Sequence, residues 1–254
     1  MLLAADVGNT NITLGVFEDE TLKCTARLAT DTTLTGDQYA VAVKDILALN
    51  NVEIFDIEDA VICSVVPSVT TSLCAAISKL FSIVPLVIGP GVKTGLNIKI
   101  DNPAQLGADL AVGAVAAIHE YTMPCVVIDM GTATTISVLD RNGAFLGGSI
   151  AAGVRLTLKA LSQNTAQLPE ISISAPVKVI GTNTADCMRS GLIYGTAAML
   201  DGLLLRIEEE LGETPTIIAT GGLSKDIIPL CKSEIIYNEN LLLDGLRYIY
   251  EKNT

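Results

Sequence analysis

The sequence predicts an α/β chain made of two similar domains. Apolar strand patterns alternate with helical patterns in both halves, which is typical of α/β folds. A strand, turn and strand unit also occurs twice, at residues 2–17 and 125–139. The 254 residues, 50% of them hydrophobic, are enough to form two cores. We therefore expect domains at residues 1–118 and 119–254 that face each other across a cleft.

Each copy of the repeated unit is an apolar strand that reaches an aspartate, a turn rich in small polar residues, and a second apolar strand. Asp6 of the first copy aligns with Asp129 of the second. Further periodic segments follow in both halves. The patterns predict helices over residues 38–49, 72–80, 110–118, 191–211 and 241–251, and strands over residues 60–66 and 216–220.

Charge argues against two classes of partner. The chain has 16 basic and 28 acidic residues and a net charge of -12. Such a surface repels phosphate backbones and anionic lipids, so we expect no nucleic-acid and no membrane partner. The uncharged segment 60–78 contains Pro67 and several hydroxyl residues, which favours a buried strand, a turn and a helix over a membrane span.

Cysteine and histidine usage argues against a metal centre of the zinc type. The six cysteines lie far apart without a Cys-x-x-Cys pair, so we expect buried free thiols in a reducing compartment. The N-terminus lacks the basic lead of a secretory signal, and a cytoplasmic protein is expected. The single histidine, His119, is expected on the surface near the end of a helix and is assigned no chemistry.

The two repeated turns are candidates for phosphate binding. Their glycine, threonine and asparagine residues offer backbone N–H groups and small hydroxyls to an anion. An aspartate just before each turn would repel phosphate unless a cation bridges the two. We assign Asp6 to magnesium, through water, and Asp129 to a second cation. Ordinary turn chemistry would explain one copy, but the duplication favours phosphate binding.

A third glycine element follows the predicted strand over residues 216–220. In the segment Thr220-Gly221-Gly222, the double glycine lets the backbone lie flat against a ligand ring or ribose. The Walker and dinucleotide-binding fingerprints are both absent from the sequence. The commonest other nucleotide-binding folds are therefore disfavoured.

Taken together, these motifs resemble those of the type III pantothenate kinase family, from the first strand to the last helix. The residues that carry the resemblance are Asp6-Val7-Gly8-Asn9-Thr10-Asn11, Asp101-Asn102-Pro103, Gly107-Ala108-Asp109-Leu110, Asp129-Met130-Gly131-Thr132-Ala133-Thr134-Thr135, Thr220-Gly221-Gly222 and Asp244-Gly245-Leu246.

The resemblance implies a fold, an activity and a set of cofactors. The fold is α/β, the actin-like (ribonuclease H-like) duplicated two-domain phosphotransferase fold. The activity is transfer of the γ-phosphoryl group of ATP to the primary hydroxyl of pantothenate, the first step of coenzyme A biosynthesis. The cofactors are ATP, Mg²⁺ and a monovalent cation, K⁺ or NH4⁺, and the partner is a second copy of the chain in a homodimer.

The resemblance also implies residue roles. Asp109 is the catalytic base, Asp129 binds the monovalent cation, and Asp6 binds magnesium through water. The ATP-binding residues are Asp6, Val7, Gly8, Asn9, Thr10, Asn11, Ile12, Thr13, Thr132, Gly221 and Gly222. The substrate-binding residues are Ile100, Gly107, Ala108, Asp109, Leu110 and Thr184.

Two interpretations of Asp109 follow from its position. Phosphoryl transfer needs a group that accepts the hydroxyl proton, which favours Asp109 as the base. Since Asp109 precedes the predicted helix 110–118, it could instead cap that helix. The family resemblance favours the base.

Three positions depart from the family pattern. Leu110 replaces an arginine, Ile100 replaces a tyrosine, and Ala152 replaces a proline. Loss of an arginine that pairs with a carboxylate, worth about 1.5–3 kcal/mol, predicts weaker pantothenate binding. Two alternatives to a pantothenate kinase follow: an uncharged acceptor, or a nucleotide-binding accessory or regulatory protein of the Bvg accessory factor type. Another actin-like enzyme, such as a sugar kinase or a phosphatase, is a third.

Overall fold

The computed structural model describes residues 1–174 and 178–254, which form ten strands and seven α-helices. The strands are β1 (Leu2–Val7), β2 (Asn11–Glu18), β3 (Thr21–Ala29), β4 (Asp59–Ser64), β5 (Leu86–Val87), β6 (Cys125–Met130), β7 (Ala133–Leu139), β8 (Phe145–Ala152), β9 (Thr216–Thr220) and β10 (Ile236–Tyr237). The helices are α1 (Gly36–Leu49), α2 (Pro67–Phe81), α3 (Ala108–Glu120), α4 (Val154–Asn164), α5 (Thr184–Leu211), α6 (Ser224–Ile227) and α7 (Leu241–Asn253).

The strands form two five-stranded sheets of the same topology. The first sheet has the order β3-β2-β1-β4-β5, and the second has the order β8-β7-β6-β9-β10. In each sheet an antiparallel meander of three strands is followed by two strands parallel to its first strand. This is the ribonuclease H-like arrangement present twice, and the predicted actin-like fold is confirmed.

The predicted helices and strands are present, with shifted ends. Helix α5 begins at Thr184, seven residues before the predicted start, because the side chain of Asn183 accepts a hydrogen bond from the N–H of Asp186 and caps it. Strand β4 ends at Ser64 rather than at residue 66, since Pro67 begins α2 at a position that suits proline.

Helices cover both faces of the first sheet. In β1, Leu3 and Ala5 belong to the core cluster that includes residues of α1 and α2. Leu2 and Ala4 belong instead to the cluster that includes residues of α3 and α7. Because side chains alternate along a strand, Asp6 shares the second face. The carboxylate of Asp6 therefore lies on the α3 side of the sheet.

The second sheet has its own core. Val126, Ile128 and Met130 of β6 are buried together with Val154 of α4 and Leu192 of α5. Asp129 again falls between core residues of one strand, as Asp6 does in β1. The two aspartates thus occupy matching positions in the two sheets.

The two compact units of the structure are not separated by a single boundary after residue 118. The first unit comprises residues 1–96, 102–119 and 240–254, and the second comprises residues 97–101 and 120–239. The C-terminal helix α7 joins the first unit because its apolar residues Leu243, Leu246 and Ile249 complete the α3-side core. The segment 97–101 joins the second unit because it pairs with β8.

The cysteines are free, as predicted, and all six lie in the described ranges, but only Cys63 and Cys125 are buried. Cys24, Cys74 and Cys231 are half-buried, and Cys187, in the first turn of α5, is exposed. His119 is exposed in the last turn of α3, as predicted, and stacks on the ring of Tyr248 at a centroid distance of 4.2 Å. Within the described residues, no helix is long and apolar enough to cross a membrane.

The packing of α7 against α3 can be tested at Gly245, where the two helices approach closely. A Cβ added at Gly245 would overlap the carbonyl oxygen of Val112 and lie 2.9 Å from its Cγ1. We expect Gly245→Ala to destabilise the protein by about 3 kcal/mol, because overpacking against backbone cannot relax by side-chain rotation. Urea unfolding measures the change, with Gly89→Ala as the control, since nothing lies within 4 Å of a Cβ there. Equal unfolding midpoints for the two variants would contradict this packing.

Candidate active site

The first repeated turn is a closed hairpin between β1 and β2. Asp6 pairs with Thr13, and the N–H of Gly8 donates to the carbonyl of Asn11 at 3.0 Å. The three residues at the tip of the turn, Asn9, Thr10 and Asn11, are exposed. Their small side chains and backbone are thus accessible to a ligand.

A residue that the sequence analysis missed braces this hairpin. The hydroxyl of Thr30 donates to the carbonyl of Gly8 at 2.7 Å, and its N–H donates to the carbonyl of Thr10 at 3.0 Å. Two bonds from one residue fix the backbone of the turn. Thr30 follows β3 as one of several polar residues there, and nothing in the sequence distinguishes it.

Two predicted ATP-binding residues of the hairpin have inaccessible side chains. Val7 and Ile12 are fully buried in the core cluster on the α1 and α2 side of the sheet. Only their backbone groups can face a ligand. Asp6 and Thr13 are half-buried, and their side chains are accessible in part.

The carboxylate of Asp109 is held at the start of α3. The helix begins at Ala108, so Asp109 lies in its first turn and not at the capping position before it. The alternative interpretation, in which Asp109 caps the helix, is therefore wrong, because the position before the helix is Gly107. One carboxylate oxygen, Oδ1, still accepts a hydrogen bond from the N–H of Leu110 at 2.9 Å.

Gly107 leaves room for this carboxylate. A Cβ added at Gly107 would lie 2.5 Å from Oδ1 of Asp109, so a larger residue there would displace the acid. Gly107, Ala108, Asp109 and Leu110 are all half-buried. Leu110 places an apolar side chain next to the acid.

The first unit brings Asp6 and Asp109 close to one buried thiol. Cys63 of β4 lies directly beside Asp6 of β1 in the parallel register. Burial raises the pKa of the Cys63 thiol well above its usual value, and the negative charges of Asp6 and Asp109 raise it further. The end of β1 and the start of α3 therefore lie in the same region of the first unit.

The second repeated turn has the same design in the second unit. Asp129 pairs with Thr135 of β7 and, on its other side, with Thr220 of β9. Gly131 and Thr132 at the tip are exposed. The N–H of Gly153 donates to the carbonyl of Thr132 at 3.1 Å and braces the turn, as Thr30 does in the first.

The two glycines that follow β9 differ in backbone conformation and in the space around them. Gly221 has a φ of 94°, and a Cβ there would lie 2.7 Å from the backbone of Met130. Gly222 is exposed, and nothing lies within 4 Å of a Cβ built on it. Gly221 thus serves the fold, while Gly222 leaves open space beside the end of β9.

The remaining predicted acceptor residues lie in the second unit. Thr184, the first residue of α5, lines an apolar cavity of about 410 Å³ with residues of α4 and α5. Ile100 lies beside β8, where its Cγ2 is 3.9 Å from a Cβ built on Gly147. Leu110, by contrast, belongs to the first unit.

The donor set limits which metals the chain can hold. Among the described residues, no group of three or more His, Cys, Asp or Glu side chains is arranged to hold a metal ion. Magnesium typically keeps several waters and binds one or two carboxylates together with substrate phosphates. Single carboxylates such as Asp6 and Asp129 fit that mode of binding, in which the ligand supplies further oxygens.

Comparisons with known proteins identify close relatives over the full length. A family model described as type III pantothenate kinase matches residues 2–206. The type III pantothenate kinases of Halalkalibacterium halodurans and Exiguobacterium sibiricum are 44% and 46% identical over 253 residues, covering 100% of both chains in each case.

A solved structure has the same fold at low sequence identity. The Campylobacter jejuni protein described as a Baf family transcriptional activator superposes with a TM-score of 0.63, at 19% identity, over 99% of this chain and 98% of that one. At this level of identity, the likeness shows the fold alone.

Neighbouring glycines provide a test of the β9 turn. We expect Gly221→Ala to lower the free energy of unfolding by about 2–3 kcal/mol, since the new methyl group meets backbone atoms at a positive φ. We expect Gly222→Ala to fold normally but to bind ATP about tenfold more weakly, a change of about 1.4 kcal/mol. Urea unfolding and titration calorimetry measure the two effects. Unimpaired ATP binding by Gly222→Ala would remove Gly222 from the nucleotide site.

Proposed function

The chain belongs to the type III pantothenate kinase family, and from this premise we propose that it transfers the γ-phosphoryl group of ATP to the primary hydroxyl of pantothenate. This reaction is the first step of coenzyme A biosynthesis. Full-length identity of 44% and 46% to two type III pantothenate kinases supports the proposal.

One structural observation carries the proposed chemistry. The carboxylate of Asp109 at the start of α3 and the carboxylate of Asp6 beside the glycine turn both lie near Cys63. Phosphoryl transfer needs a phosphate held in place and a hydroxyl whose proton is accepted. A turn that binds phosphate and an acid in the same unit would supply both.

Asp109 is proposed as the base. Its Oδ1 is engaged by the N–H of Leu110, which fixes the orientation of the carboxyl group. We infer that its second oxygen, Oδ2, accepts the proton of the acceptor hydroxyl as the hydroxyl attacks. Such a base contributes about 10²- to 10⁴-fold to the rate.

The nucleotide is proposed to contact three glycine-containing turns. The hairpin from Asp6 to Thr13 would hold phosphate oxygens through backbone N–H groups and the hydroxyls of Thr10 and Thr13. Thr132, Gly221 and Gly222 are proposed as further ATP contacts. Magnesium, which would be held through water by Asp6, would neutralise charge on the phosphate oxygens when bound.

Three further features belong to the proposal. Asp129 is the proposed ligand of a monovalent cation, because its position in the second sheet matches that of Asp6 in the first. A homodimer is proposed, supported by exposed small residues on α5, where Gly191, Gly195 and Ala198 allow close helix approach. The free cysteines support a reducing compartment such as the cytoplasm.

A second candidate function differs in the acceptor. Leu110 adds no charge beside Asp109, and the net charge of the chain is -12. An anionic acceptor therefore lacks a cationic partner at this position. This observation favours an uncharged relative of pantothenate, or an accessory protein with weak kinase activity.

Asp109→Asn tests the base. We expect phosphorylation of pantothenate to fall at least about 100-fold, because the amide cannot accept the proton, while ATP binding is retained. Coupled-assay kinetics and calorimetry measure the two quantities. Asp19→Asn removes the same charge at an exposed turn of the first unit and should leave turnover unchanged. Unchanged turnover in Asp109→Asn would refute the assignment.

The double variant Leu110→Arg with Ile100→Tyr tests acceptor charge. We expect the KM for pantothenate to fall about tenfold or more, since an arginine bond to a carboxylate is worth about 1.5–3 kcal/mol. The KM for an uncharged amide analogue should not fall in parallel. An unchanged or raised KM for pantothenate would show that the carboxylate lies elsewhere.

A further inference from the structure

A buried tyrosine holds the backbone next to Thr30. The hydroxyl of Tyr39, in the first turn of α1, donates to the carbonyl of Asp31 at 2.8 Å and accepts from the N–H of Asp31 at 3.1 Å. Tyr39 is 1% exposed, and its ring belongs to the core cluster that also contains Val7 and Ile12. One hydroxyl therefore holds both backbone groups of a residue in the connection between β3 and α1.

The start of α1, from which Tyr39 projects, is itself fixed by its capping residues. The side chain of Thr35 accepts from the N–H of Gln38, and the side chain of Gln38 accepts from the N–H of Thr35. The carboxylate of Asp31 accepts from the N–H and the hydroxyl of Thr33, at 2.8 and 2.6 Å. The backbone at Asp31 is thus held by the helix and by a local turn.

Thr30 connects this anchor to the turn between β1 and β2. The N–H of Asp31 belongs to the peptide bond that joins Thr30 to Asp31, so the bond to Tyr39 fixes the plane of that peptide. On its other side, Thr30 donates to the carbonyls of Gly8 and Thr10. Hydrogen bonds and one peptide bond therefore link α1 to the turn.

The two carbonyls that Thr30 holds determine where the neighbouring N–H groups point. In a trans peptide bond, the carbonyl and the N–H that follows it point in opposite directions. Because the carbonyl of Gly8 faces Thr30, the N–H of Asn9 points away from Thr30. The carbonyl of Thr10 sets the N–H of Asn11 in the same way. Asn9 and Asn11 are both exposed, so these N–H directions are set in the accessible part of the turn.

We propose that Thr30 and Tyr39 are positioning residues for the nucleotide, which set the direction of the N–H groups that the turn offers to the phosphates of ATP. This inference rests on the proposed function, in which the hairpin holds phosphate oxygens. Thr30 acts through the carbonyls of Gly8 and Thr10. Tyr39 acts through the backbone of Asp31, and neither side chain is assigned a contact with ATP.

The first experiment measures the Kd for ATP, with magnesium, by titration calorimetry. Thr30→Val removes the hydroxyl but keeps the shape, and we expect the Kd to rise about tenfold, because a bond that orients the turn is lost. Tyr39→Phe removes one oxygen atom and acts indirectly, so a rise of about threefold is expected. Thr30→Ser keeps the hydroxyl and should stay within about twofold of native.

The double variant Thr30→Val with Tyr39→Phe tests whether the two residues act through one chain of bonds. Independent effects would multiply to a rise of about thirtyfold, whereas a shared chain gives about tenfold, as in Thr30→Val alone. A thirtyfold rise would overturn the action of Tyr39 through Thr30.

Tyr250→Phe is the matched control. The hydroxyl of Tyr250 in α7 donates to the carboxylate of Asp59 at 2.7 Å, at the first residue of β4. We expect this variant to lose thermal stability, as Tyr39→Phe does, but to keep the native Kd for ATP. If Thr30→Val and Tyr39→Phe also keep the native Kd and lose only stability, their role is purely structural and the proposal is wrong.

Amide hydrogen exchange without nucleotide tests the inference independently of kinase activity. The N–H of Gly8 donates to the carbonyl of Asn11 at 3.0 Å and should exchange about threefold to tenfold faster in Thr30→Val and Tyr39→Phe. Its exchange should be unchanged in Tyr250→Phe. Native exchange in Thr30→Val would overturn the positioning role even if the kinase is active. If native protein does not phosphorylate pantothenate but the variants exchange faster and bind ATP more weakly, the proposed function fails and the positioning role stands.

Discussion

The parallel pairing of β1 with β4 is the constraint on which the site in the first unit depends. It sets Asp6 beside Cys63 at the carboxyl end of both strands, where a turn must follow. The antiparallel partner β2 then returns the chain, and the hairpin exposes its backbone next to the acid. Helix α3 lies on the same face and brings its first turn, with Asp109, to this edge. The turn proposed to bind phosphate and the acid proposed as the base are thus brought together by sheet topology, although about 100 residues separate them in sequence.

Close backbone contacts keep these parts in place, and glycine makes each of them possible. Gly245 lets α7 approach α3, and so fixes the helix that carries Asp109. Gly153 and Gly221 play the same role in the second unit, where each lies against the backbone of the β6–β7 turn region. At Gly107 the constraint is chemical rather than architectural, since the missing Cβ gives the Asp109 carboxylate its position. These four glycines therefore serve to position acids, turns and a helix.

The duplicated fold was predictable from the sequence because hydrophobic periodicity and the repeated aspartate turn are local signals. Helix α5 and strand β9 were found in this way. The return of α7 to the first unit was not predictable, since an apolar helix face does not specify which core it joins, and Leu243, Leu246 and Ile249 pack against residues distant in sequence.

In the candidate site, too, some features were predictable from local sequence and others depend on tertiary contacts. Asp6 and Asp109 were recognisable from their motifs. The role of Thr30 depends on which strands become neighbours, and a single threonine carries no such information. The buried side chains of Val7 and Ile12 follow from strand alternation, which a motif does not take into account.

Charge links the site to the identity of the acceptor. Two carboxylates lie near one neutral thiol, and the chain as a whole carries 12 excess negative charges. Under the proposed function, backbone N–H groups and a bound divalent cation would offset the charge of phosphate oxygens at this site. An acceptor that carries its own carboxylate needs a similar offset near Asp109, and Leu110 does not provide one. Under the proposed function, Leu110 therefore offers no cationic partner to an acceptor carboxylate that reaches Asp109.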